Sequence, residues 1–151
     1  MKKEKVVLTV LVCIVLILGV AYLFIGNPLV FMNNHKLANS VTAIETETVS
    51  LSEVIPFDWD VVYTFEPYQS KESIEEIVGF TSSDIEANNI NEGMVHVLFV
   101  KGNRVTASVL GYSNNLGYEI SLSPEMKITY SENAQFRVAK SNGITTLSLI
   151  Q

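Results

Sequence analysis

The chain has 151 residues, room for one domain with attachments, and its 16 acidic against 10 basic residues give a formal charge of −6. That balance speaks against nucleic acid as a partner, because recognition of a phosphate backbone needs basic stripes that displace counterions. A single cysteine excludes a disulfide framework within the chain, so a folded domain must be held by its core alone.

The N-terminal stretch dominates the hydropathy. Residues 6–26, VVLTVLVCIVLILGVAYLFIG, contain no charge over 21 positions, about 31 Å at roughly 1.5 Å per residue, which matches a bilayer core. A transmembrane helix is expected there, closed by Asn27-Pro28. Lys2, Lys3 and Lys5 precede the run and only Lys36 follows closely. This asymmetry predicts a cytoplasmic tail over 1–5 and an extracytoplasmic remainder. The expectation is a single-pass signal-anchor protein of the cell membrane, with the lipid bilayer as its partner over 6–26. A cleavable signal peptide is one alternative, but the run is long for it and GVAYLFIGN is a poor cleavage site. A lipoprotein signal at Cys13 is another, but no small residue stands beside it. Otherwise Cys13 is a small apolar residue of the helix. Beyond residue 26 the chain is more acidic still, at −8.

Residues 27–50 mix Asn, Thr, Ser, Glu and scattered apolar residues with no period of 2 or 3.6, which reads as a juxtamembrane tether. Ser50 and Glu53 have the spacing of a capping box, and Pro56 stops the turn they open. The folded domain is expected over 51–151.

In DWDVVYTFEP, alternation places Trp59, Val61, Tyr63 and Phe65 on one strand face and Asp58, Asp60, Thr64 and Glu66 on the other, with Val62 the exception. Ser70 caps a short helix with Glu72 in its first turn, Ile74, Ile77 and Val78 as its stripe, and Gly79 as its left-handed stop. Residues 81–93 read as loop. MVHVLFVKGNRVTASVLGY is a hairpin turning at Gly102-Asn103, in a register that sets Val100 against Val105, Leu98 against Ala107 and His96 against Val109. YEISL and MKITY alternate as strands. A second hairpin turns at Asn142-Gly143 and stacks Phe136 on Leu149 and Val138 on Leu147. The fold class expected is α+β: an N-terminal transmembrane helix, then a mostly antiparallel sheet with one short helix.

No catalytic, cofactor-binding or metal-binding set is legible. Asp58 and Asp60, about 7 Å apart on a strand, match the separation of inverting glycosidase carboxylates, yet every i, i+2 acid pair does so. The simpler reading is a solvated face. No D-x-D-x-D-G calcium loop, zinc spacing, G-x-S-x-G or phosphate-binding glycine loop is present. Of the two histidines, His35 lies in the tether, and His96 on an apolar strand face reads as a core residue.

The stretch DWDVVYTFEPYQSKESIEEIVGF, with GMVHVLFVKGNRV and ENAQFRV after it, resembles a pattern in a group of small bacterial proteins. That pattern is a Trp-Asp strand with alternating aromatics, Pro-Tyr, and a short helix ending in Gly-Phe. The resemblance covers residue 51 to the C-terminus. It implies export with a lipoprotein signal or a membrane anchor, and it brings no activity and no functional residues.

The function expected is binding and not catalysis: an extracytoplasmic interaction domain acting on an envelope or membrane protein. Exposed aromatics carry most binding energy, so Tyr68, Tyr112 and Tyr118, near turns, are the candidate contacts, with ordinary packing the competing reading. Two alternatives stay open: a cell-surface hydrolase using Asp58, Asp60 or Glu66, and an immunity or antagonist protein of the envelope.

Overall fold

The structure, a computed structural model, describes residues 2–86 and 91–150. Helix α1 (Lys2–Ile25) leads through Gly26, at φ 71°, into α2 (Pro28–Thr42). Asn27 caps α2, its Oδ1 accepting from the Leu29 N–H at 3.1 Å. Pro28 takes the first helical position, where its missing N–H is no loss.

Eight strands follow among the described residues: β1 (Thr48–Ser50), β2 (Val61–Thr64), β3 (Met94–Lys101), β4 (Arg104–Tyr112), β5 (Tyr118–Ser121), β6 (Lys127–Thr129), β7 (Gln135–Ser141) and β8 (Ile144–Leu149). Short helices α3 (Leu51–Val54), α4 (Lys71–Val78) and α5 (Ser113–Leu116) connect them. One sheet has the order β1-β7-β8-β5 and the other β4-β3-β2-β6. All pairs are antiparallel except β5 with β8, which is parallel.

The main core joins both sheets to α2 through Leu37, Val41, Trp59, Val62, Phe99 and Phe136, among others. A second, smaller core covers the outer face of β2 and β3, where Tyr63, Phe65, Leu98 and Val100 meet Ile74 of α4, Ile85 and Val30 of α2. Burying Leu37 and Val41 contributes roughly 1.5–3 kcal/mol each relative to exposure.

Local signals hold where they are strongest. Ser70 caps α4, its Oγ accepting from Ser73 N at 3.2 Å, and Gly79 ends it at φ 85°. The β7–β8 hairpin pairs Phe136 with Leu149 and Val138 with Leu147, as its turn predicts.

Four expectations need correction. Among the described residues no helix is long and apolar enough to cross a membrane. The described part of the N-terminal helix, residues 3–20, is not long and apolar enough to do so. This overturns the transmembrane helix over 6–26, the single-pass signal-anchor topology and the cell-membrane placement derived from it. Second, the expected tether contains α2. Its buried stripe is Val30, Asn33, Leu37 and Val41, and the polar Asn33 within that stripe hides the helical period. Third, Asp58 and Asp60 do not share a wet strand face. The strand starts at Val61, Val62 is fully buried in the main core, and Tyr63 and Phe65 face the second core, so β2 is covered on both sides. Fourth, the β3–β4 register shifts by one residue. Val100 pairs with Val105 but Phe99 with Ala107, so Thr106 is an extra residue, a β-bulge. Leu98 then faces Ser108 and His96 faces Leu110.

The bulge matters because β4 is an edge strand, and an open edge invites pairing with other chains. Here α2 closes it. Asn33 donates its Nδ2 to the Thr106 carbonyl at 2.8 Å. Asn34 donates to the Ser108 carbonyl at 2.6 Å and accepts from the Ser108 N–H at 2.9 Å, as a neighbouring strand would. Replacing Asn34 by Ala leaves both Ser108 groups unpaired and is expected to cost about 1–3 kcal/mol. Leu37→Ala is expected to cost about 2–5 kcal/mol. Urea unfolding of the full chain measures both, and a mere tether over 27–50 would give no change for either.

Candidate functional site

Asp60 stands just before β2 and joins three elements. Its N–H donates to the Val100 carbonyl at 2.7 Å and its carbonyl accepts from the Tyr130 N–H at 2.7 Å. Its side chain closes the β3–β4 turn: Oδ1 accepts from Lys101 Nζ at 2.8 Å and Oδ2 from the Gly102 N–H at 2.8 Å. The hydrogen bond from Lys101 and then that from Gly102 hold the Asp60 carboxyl below the usual range, and the same bond raises Lys101.

Around this joint lie two open clefts that share Pro56, Phe57, Asp58 and Lys101. The larger, about 760 Å³, is walled by Leu29, Asn33 and Lys36 of α2 and by Asn103, Arg104 and Thr106 of the hairpin. The smaller, about 410 Å³, reaches Ser52, Ile55, Trp59 and Tyr130. Together they form one groove on either side of residues 56–58.

Its aromatic walls are backed by the core. Trp59 is buried, with edge-on contacts to Phe99 at 5.5 Å and Tyr130 at 5.1 Å, and Phe57 meets Phe99 edge-on at 5.4 Å. Tyr130 is exposed and follows β6 in a 3-10 turn (Tyr130–Glu132), which Thr129 and Glu132 close with a capping box. The indole N–H of Trp59 is buried without a hydrogen-bond partner among the described residues. In the larger lobe three cations, Lys36, Lys101 and Arg104, face one carboxylate, Asp58. Lys101 is engaged by Asp60, whereas Lys36 and Arg104 form no ion pair among the described residues.

The opposite end of β2 and β3 has the opposite character. A cleft of about 280 Å³ there is lined by Glu66, Glu119 and Glu125, beside the cis Ser123-Pro124 bond. The β3 segment at His96 also borders it. The imidazole itself lies on the Leu98 and Val100 face, against Phe65 at 5.2 Å. His96 is 1% exposed and neither ring nitrogen has a partner among the described residues, so burial pushes its pKa down to about 4. No cluster of three His, Cys, Asp or Glu able to hold a metal ion occurs among the described residues.

The acidic residues weighed for hydrolysis are not brought together. Asp60 is committed to the turn, Asp58 is exposed on the groove wall, and Glu66 lies six residues beyond Asp60, roughly 20 Å at about 3.3 Å per strand residue. The candidate tyrosines also separate. Tyr68 is 65% exposed at φ 71° in the loop after β2, and Tyr112 is 40% exposed at the end of β4. Tyr118 is 1% exposed in the main core, and burial raises its hydroxyl pKa, so it is no surface contact. The alternation of Tyr118 with Ile120 already carried that signal. Sequence reading missed Lys36, Phe57, Arg104 and Tyr130, which come from four separate segments that only the tertiary fold assembles.

Comparison of the chain with protein-family models, with curated proteins and with solved structures finds no match.

The buried His96 makes stability depend on pH. Its folded pKa of about 4 lies below the ordinary 6.5, so between these values the unfolded chain binds the extra proton. Its contribution is fully present above pH 6.5 and is lost as pH falls toward 4, by up to roughly 3 kcal/mol. Urea midpoints of the full chain at pH 7 and pH 5 should therefore differ less in His96→Leu than in the parent. At pH 7 the variant should be no less stable, since it removes two unpaired nitrogens.

Proposed function

We propose that this chain is a binding module and not an enzyme, and that it receives a protein partner at the groove around Pro56–Asp60 and the β3–β4 turn. The observation that carries the reading is the groove's make-up: Phe57, Tyr130 and Arg104 on walls that α2, β3 and β4 hold in place. Aromatic and arginine side chains on a rigid support are the usual anchors of protein interfaces, and pre-ordering them reduces the entropy lost on binding. The acid pair that a hydrolase would use argues the other way, because Asp60 already has both carboxylate oxygens engaged.

The groove displaces the tyrosines named from sequence as the main contacts. Tyr68 and Tyr112 are exposed but line none of its walls. The test is quantitative capture of a partner by the tagged full chain. Tyr130→Ala and Phe57→Ala should each reduce recovery about tenfold, the effect of a contact worth about 1.4 kcal/mol, with urea midpoints showing that the fold persists. Tyr68→Ala and Tyr112→Ala should leave recovery unchanged. Equal recovery across all four variants would remove the groove from consideration.

A further inference from the structure

We infer that the larger lobe of the groove takes an acidic peptide segment of the partner, with carboxylates on Lys36 and Arg104 and an apolar side chain against Leu29 and Phe57. The inference rests on the binding-module reading above.

The first support is the placement of charge. After residue 26 the chain has seven cations and a charge of −8, yet three of the seven line this lobe against one carboxylate. Lys101 holds Asp60, and its charge is largely answered there. Lys36 and Arg104 are left to meet a ligand.

The second support is how the two are positioned. Lys36 is one helical turn after Asn33, and Arg104 is two residues before Thr106. The Asn33 to Thr106 hydrogen bond ties these elements together at the lobe itself. The spacing between the ammonium-bearing helix and the guanidinium-bearing strand is therefore set before any ligand arrives. Arginine's planar fork accepts a carboxylate with two parallel hydrogen bonds, whereas lysine supplies a point charge.

The third support is shape. The lobe is open and shares Pro56, Phe57, Asp58 and Lys101 with the smaller cleft. A free oxyanion there would stay hydrated, and an exposed ion pair alone stabilises little. An extended peptide adds apolar contact with Leu29, Pro56 and Phe57. Asp58 on the same wall disfavours a dense run of negative charge, as in a polyphosphate, and tolerates spaced acids.

The test titrates the full chain with a fluorescently labelled peptide, Gly-Glu-Phe-Asp-Glu-Leu-Gly, followed by anisotropy at low salt. Binding should weaken at least about tenfold in Lys36→Glu and in Arg104→Glu, both exposed positions whose urea midpoints should stay at the parent value, and likewise in high salt. The Gln and Asn version of the peptide should not bind. Absence of peptide binding, or binding by both charge-reversed variants as tight as the parent's, overturns the inference. Displacement of the peptide by millimolar inorganic phosphate also overturns it, by reassigning the lobe to free oxyanions. Partner capture lost in Phe57→Ala but kept in Lys36→Glu and Arg104→Glu would sink this inference while the groove reading stands.

Discussion

Two asparagine side chains on a helix, hydrogen-bonded to the backbone of an edge strand, are the contact on which the rest of this structure depends. Asn33 and Asn34 satisfy three backbone groups of β4 that an open edge would leave to water or to another chain. The bulge at Thr106 prepares the site. It turns Ala107 and Val109 into the main core while Val105 stays in the second, and Thr106 Oγ1 bonds the Phe99 carbonyl at 3.2 Å. With α2 docked, Leu37 and Val41 enter the main core and Val30 the second. One helix thus joins both cores, and Lys36 is carried to the groove as a consequence.

Asp60 is the other joint. Its backbone bridges β3 and the 3-10 turn after β6, and its carboxylate satisfies the turn that follows β3. A carboxylate with both oxygens engaged by a cation and a backbone N–H is held ionised and immobile, which suits a brace better than a proton carrier. Asp60, one of the acids of this stretch, is therefore part of the architecture.

The two ends of the β2–β3 pair differ in sign. Lys36, Lys101 and Arg104 stand at one end and Glu66, Glu119 and Glu125 at the other. Such separation gives a net-acidic molecule a field with direction. His96 lies between them as a neutral buried ring. It contributes to the pH response of the fold and not to the charge of either end.

By itself the sequence determined the elements whose chemistry is local. The Ser70 cap and Gly79 stop of α4, the glycine turns, and the register of β7 on β8 are decided by residues within a few positions of one another, and they form as read. It also set the net acidity and, with one cysteine, the absence of a disulfide within the chain. The apolar run over 6–26 was legible as a helix, but its reading as a membrane span does not survive in the described residues. Only the tertiary structure decided that residues 28–42 are a packed helix, that β2 is covered on both faces, that β5 runs parallel to β8, and that Tyr118 is interior. It alone assembled the groove. The physical reason is distance along the chain. Asn33 meets Thr106 across 73 positions and Asn34 meets Ser108 across 74, and no periodicity or spacing rule reaches that far.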